Sequence, residues 1–224
     1  MGYLPYDLTV KAISWIIVMI YCGIFGTIFL VKAIKATKEV KFQRNMYRTI
    51  SIILFLYVVI RVFFLLSDFE RDANSDTLLY YQFVVISYIT TAIAFLNIIY
   101  FLESTVLRKT KHAISYIIII MIIIDVSILI LFNEYIQMVR YFNYALSYTE
   151  VGLILLVYLY LTVKSTGKLR QNSFLSLLGL ALAGVASFLE MDALLMTGAI
   201  PAWLSPTIFA IGITIFAYSY IRSV

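Results

Sequence analysis

Four ionisable side chains interrupt runs that are otherwise hydrocarbon. Arg61 stands in "VVIRVFF", Asp125 in "IIIIMIIIDVSILILF", Glu150 in "SYTEVGL" and Glu190 in "ASFLEMDALL". A charge inside lipid is costly, so such residues usually face a bundle interior or a water-filled cavity and pair there. Three carboxylates against one arginine leave the set net negative, which suits a proton, a small cation or an amine. Asn143 and Ser147 precede Glu150 at helical spacing, and Tyr81, Tyr88 and Thr91 share a second polar face upstream. The candidate ligand-binding set is therefore Arg61, Tyr88, Asp125, Asn143, Ser147, Glu150 and Glu190.

The elements that must position these groups follow from composition. The chain has 224 residues, 63% hydrophobic and 13% charged, with mean hydropathy +0.98. Soluble domains carry about 25% charged residues, so one core cannot hide this excess and the solvent is lipid. Seven runs reach the ~17–25 residues that cross a bilayer as helix. They are Ile13–Val31, Thr49–Ser67, Leu78–Leu102, Ala113–Phe132, Ala145–Val163, Phe174–Met196 and Leu204–Ile221. Each must satisfy its own backbone hydrogen bonds, which selects helices. The expected architecture is a single seven-helix transmembrane domain over residues 1–224. Counted from the expected outer ends, the four ionisable groups lie roughly 8–10 Å deep at 1.5 Å per residue, in one polar layer.

Orientation follows from the basic loops. Thirteen Lys and Arg fall on one side, from Lys32 to Arg48, Arg108 to Lys111, Lys164 to Arg170, and Arg222. Lys11, Arg71 and Arg140 fall on the other. The N-terminus is expected outside and the C-terminus in the cytoplasm, in the cell membrane. The net charge of +5 then reads as topology and contact with anionic lipid, not nucleic-acid binding. "MGYLPYDLTV" lacks the basic start of a signal peptide, so the first helix is expected to be retained. Cys22 is expected to be a packed thiol. One histidine and one cysteine argue against a catalytic zinc, which usually takes three protein ligands. No cofactor motif or catalytic motif is present, so no enzyme activity is expected.

Finer placements follow. On the sixth run Gly179, Ala183, Ser187 and Glu190 fall on one face, the side on which small residues let helices approach. Asp192 points elsewhere, toward headgroups. Arg61 is expected to meet a carboxylate across the bundle, foremost Asp125, the alternative being a reach along its own helix to Asp68. Asp125 otherwise carries a proton and bonds to backbone or Ser127. Glu103 is expected to pair with Arg44, Arg48 or Arg108, and Trp15 and Trp203 to sit in the interfacial belt. "DFERDANSDT", Asp68 to Thr77, reads as an acidic, turn-rich outer loop. Below the midplane only Asn97 and Glu103 offer a polar path.

Seven helices with an outer N-terminus resemble microbial rhodopsins and G-protein-coupled receptors in topology. The seventh run, "LSPTIFAIGITIFAYSYI", has no lysine to hold retinal and no Asn-Pro-x-x-Tyr motif, and "LESTVLRK" lacks the acid-arginine pair of the receptors. The pattern, including "IYFLESTVLRKTKH", is similar to the seven-helix membrane sensor modules of bacteria and archaea. That resemblance implies a receptor or sensor binding its ligand from outside. With no output domain in the chain, the signal is expected to pass to a separate cytoplasmic or membrane protein. A second copy of the chain and membrane lipids are the other expected partners. Transport or conduction of a cation or proton, and a structural role in a membrane complex, are the alternatives.

Overall fold

In the computed structural model, residues 7–36, 41–131, 136–190, 192–195 and 197–221 are described. Their regular structure is helical, with no strand among them. The helices are α1 (Leu8–Lys35), α2 (Lys41–Asn74), α3 (Leu78–Thr105), α4 (Ala113–Leu131), α5 (Ile136–Lys164), α6 (Gly167–Leu189), the short α7 (Asp192–Leu195) and α8 (Leu204–Ile221). Six of them, α1, α2, α3, α5, α6 and α8, carry spans long and apolar enough to cross a membrane, with α4 a shorter apolar helix. Exposed Ile13, Ile16, Ile20 and Ile24 on α1, and Ile117, Ile120 and Ile123 on α4, are the outward apolar surface that lipid requires. The chain is an integral membrane protein of helical type.

Several helices outrun their apolar stretches. α1 reaches Lys35 and α2 starts at Lys41, so the basic residues Lys32, Lys35, Lys41, Arg44 and Arg48 all lie on helix. The segment from Asp68 is not the expected loop, because α2 continues through Asn74 and only a short turn precedes α3. Glu70 explains this extension. It accepts hydrogen bonds from Asn74 Nδ2 at 3.1 Å and Thr77 Oγ1 at 2.9 Å. Thr77 caps α3 by accepting from the Tyr80 amide at 3.2 Å, as an N-cap threonine does. Arg71 joins the same corner through Asp76, 3.0 Å away.

The helices divide into two compact units. One comprises Cys22–Ser147 and holds the second half of α1, all of α2, α3 and α4, and the start of α5. Its core joins Tyr80, Tyr81, Val84, Val85 and Tyr88 of α3 to Phe64 of α2, Ile128 of α4 and Tyr144 of α5. Ser51 Oγ ties α2 to α1 by donating to the Gly26 carbonyl at 2.8 Å.

The other unit comprises Met1–Tyr21 and Tyr148–Val224. Its centre is the crossing of α6 and α8. A Cβ on Gly179 would lie 2.6 Å from the Gly212 carbonyl oxygen, and one on Gly212 would lie 2.6 Å from the Gly179 oxygen. Only glycine permits backbones this close, and the small-residue face expected on the sixth run is the face that uses it. Ser205 Oγ pins the same pair by donating to the Ala186 carbonyl at 2.9 Å. Pro206 lies in the first turn of α8, where its missing amide is harmless.

The sixth expected helix is broken. α6 stops at Leu189, Glu190 is its C-cap with φ −86° and ψ 2°, and α7 follows as a single turn. Glu190 is thus a terminal residue rather than one buried mid-helix. The Asp192 side chain lies outside the described residues.

Candidate functional site

The ionisable residues divide between the units. Arg61, Tyr88, Asp125, Asn143 and Ser147 belong to Cys22–Ser147, and Glu150 and Glu190 to the other.

Asp125 sits six residues before the end of α4 and is 1% exposed. Among the described residues neither of its carboxyl oxygens has a well-formed hydrogen bond, and the Nδ2 of Asn143, 2% exposed, has none either. Asn143 of α5 is nevertheless the side chain that acts on the Asp125 carboxyl, so the two face each other. The expected contact with Arg61 is not made. Ser127 is not a partner either, since its hydroxyl donates to the Ile123 carbonyl at 2.7 Å. Asp125 and Asn143 thus form a buried polar pair with incompletely satisfied atoms. Leaving such groups unsatisfied costs about 1–3 kcal/mol each, more when charged.

Aromatic rings lead from this pair toward Arg61. Tyr144, next to Asn143 in sequence, meets Tyr88 edge-on at 5.3 Å, and Tyr88 meets Phe64 at 5.6 Å and 85°. The Arg61 guanidinium carbon lies 5.7 Å from the Phe64 ring and 5.3 Å from that of Tyr57. Arg61 Nε donates to the Tyr57 hydroxyl at 2.7 Å. Rings and a phenol thus surround the guanidinium, and cation–π contacts of this kind contribute about 0.5–2 kcal/mol each. Tyr57 was legible, since it precedes Arg61 by one helical turn. Ser147 is half-buried on the same α5 face as Asn143.

In the other unit Glu150 is buried. Glu190 is half-buried and accepts a hydrogen bond from Trp15 Nε1 at 2.8 Å. Trp15 is therefore not the belt residue expected: it is fully buried, while Trp203 is half exposed as a belt residue should be. A buried indole N–H needs an acceptor, and a carboxylate at a helix C-terminus needs a donor against the dipole. Each supplies the other's need. Lys11, one turn before Trp15, is also buried rather than part of an outer loop.

At the far end of this unit is a hydroxyl cluster that the sequence pattern did not single out. Tyr158 and Tyr220 hydroxyls lie 2.6 Å apart. Ser219 donates to the Phe216 carbonyl at 2.7 Å and its oxygen lies 2.8 Å from that of Ser176. Periodicity hides these residues, because tyrosine and serine on apolar helices read as packing.

Among the described residues no arginine pairs with Glu103, and the Arg108 side chain lies outside them. Its carboxylate accepts from the amides of Ile114 at 3.1 Å and Ser115 at 3.0 Å, and from the hydroxyls of Ser115 and Thr110. It therefore caps the start of α4, where the helix dipole favours an anion. The clasp also holds a strained approach. Lys111 and His112 have φ of 49° and 64°, a left-handed conformation costing roughly 1–2 kcal/mol per residue. The His112 ring stacks on Tyr100 at 4.7 Å.

Fold and site define an all-helical membrane protein with buried, incompletely satisfied polar groups. Comparison with protein-family models, curated proteins and solved structures finds no match to this chain. Among the described residues no group of three or more His, Cys, Asp or Glu is placed to hold a metal ion.

If Trp15 and Glu190 depend on one another, Trp15→Phe and Glu190→Gln should each lower the thermal unfolding midpoint. Their double variant should lose less than the sum, by about 0.5–3 kcal/mol of coupling. Additive losses in detergent-solubilised protein would show that the two side chains act independently.

Proposed function

We propose that the chain is a seven-helix sensor of the cell membrane, with its N-terminus outside and its C-terminus in the cytoplasm. It responds to a bound proton, small cation or amine and signals through a separate protein partner. Asp125 is the responding group. The observation that carries the reading is that Asp125 and Asn143 are both buried and that, among the described residues, neither the Asp125 carboxyl oxygens nor the Asn143 Nδ2 makes a well-formed hydrogen bond. A buried carboxyl must be neutralised or paired, so gain or loss of a proton or cation there changes the packing of α4 against α5. The Glu103 clasp at the other end of α4 ties that helix to α3 beside the basic loop, which offers a route for the change to reach a partner.

A second reading is conduction of protons or cations. The Tyr158–Tyr220 and Ser176–Ser219 hydroxyls favour it, since hydroxyl chains relay protons. Against it stands buried Ile154, between Glu150 and Tyr158 on α5.

A reporter active only in the cytoplasm should work after Val224 and near Lys38, and stay silent at Asn74. Activity at Asn74 would invert the proposed orientation. In the purified chain, tryptophan and tyrosine fluorescence should change with pH, or on addition of small cations, through a component that Asp125→Asn abolishes. An Asp125→Asn protein that keeps the full response would refute Asp125 as the responding group. A response lost in conduction through vesicles as well would favour the second reading.

A further inference from the structure

We propose that a groove between the start of α6 and the end of α8 binds the phosphate headgroup of an anionic phospholipid. Lys168, Gln171, Asn172 and Leu175 line one wall, at spacings of three, four and seven that place them on one face of α6. Tyr218 and Ser219 of α8 form the other. The volume is ≈ 210 Å³, smaller than the roughly 300–1,000 Å³ of drug-sized sites and enough for a phosphate with its ester substituents.

The lining has one sign of charge. Lys168 is its only ionisable cation, and the sequence from Lys164 to Leu189 and from Leu204 to Ile221 contains no Asp or Glu to compete with an anion. Gln171 and Asn172 amides and the Tyr218 phenol add neutral donors for phosphate oxygens. The floor is fixed, because the buried Ser219 hydroxyl is already held by Ser176 and the Phe216 carbonyl. Thr166 makes no side-chain cap to the first turn of α6.

Location selects a lipid over a soluble anion. The groove lies where two membrane-spanning helices end, at headgroup depth on either orientation. Beside the groove at Phe174 and just beyond Leu175 at Leu178, α6 exposes apolar side chains along which acyl chains can lie. This proposal does not rest on the sensor reading.

Native mass spectrometry of the whole chain, released from micelles holding equal phosphatidylglycerol and phosphatidylcholine, tests it. The unaltered protein should retain one phosphatidylglycerol in preference. Lys168→Gln with Asn172→Leu should cut that retention about fivefold, with helix content and unfolding midpoint kept, whereas Lys168→Arg should preserve it. Lys35→Gln, which removes an exposed cation elsewhere, should leave it unchanged. Equal losses for Lys35→Gln and Lys168→Gln would mean diffuse attraction only and overturn the site. So would unchanged retention in the double variant, or displacement of the lipid by soluble glycerol phosphate. If the double variant fails to fold, Lys168→Gln alone against Lys168→Arg decides between the same outcomes.

Discussion

A carboxyl group sealed inside an isoleucine-rich helix sets the terms on which its unit packs. Asp125 is buried on an apolar helix, with the Asn143 amide turned toward it. A buried carboxyl must be neutralised or paired, and on the proposed reading a bound proton or cation does this. The tyrosine and phenylalanine rings that follow, Tyr144, Tyr88 and Phe64, fill the remaining volume without adding further unmet polar atoms. At the end of that row Arg61 is accommodated differently, by ring faces and the Tyr57 hydroxyl.

The same constraint explains why polar groups elsewhere come in matched sets. Glu103 meets two amides and two hydroxyls at the start of α4, Glu190 meets the Trp15 indole, and Ser205 meets a backbone carbonyl. Where no polar device is used, backbones approach directly, as at Gly179 and Gly212. Asp125 and Asn143 depart from this pattern among the described residues, and the proposed occupant would complete them.

Much of the fold was legible because hydrocarbon length and helical period are strong signals. The apolar runs, the small-residue face on α6, the packed thiol of Cys22 and the burial of Arg61, Asp125, Asn143 and Glu150 all follow from them. What periodicity could not show was who pairs with whom. Arg61 does not reach Asp125, and its guanidinium lies against the Tyr57 phenol and the Phe64 ring of its own helix. For Glu103 the start of α4 offers two amides in fixed geometry, which residue type alone does not reveal. The break at Glu190 carries no proline signal, and the hydroxyl cluster of Tyr158, Tyr220, Ser176 and Ser219 reads as ordinary core. The helical extension through Asn74 is likewise set by side-chain bonds to Glu70 that composition alone does not reveal.

On this view Asp125 is accommodated by a guest, which is a proton when no other small cation is present. Infrared difference spectroscopy between the unaltered protein and Asp125→Asn, in detergent at low ionic strength, reads this directly. A proton guest requires a carbonyl band of a protonated carboxylic acid that is present in the unaltered protein and missing from the variant. A difference confined to the carboxylate stretches would show an ionised Asp125 instead, and would contradict it.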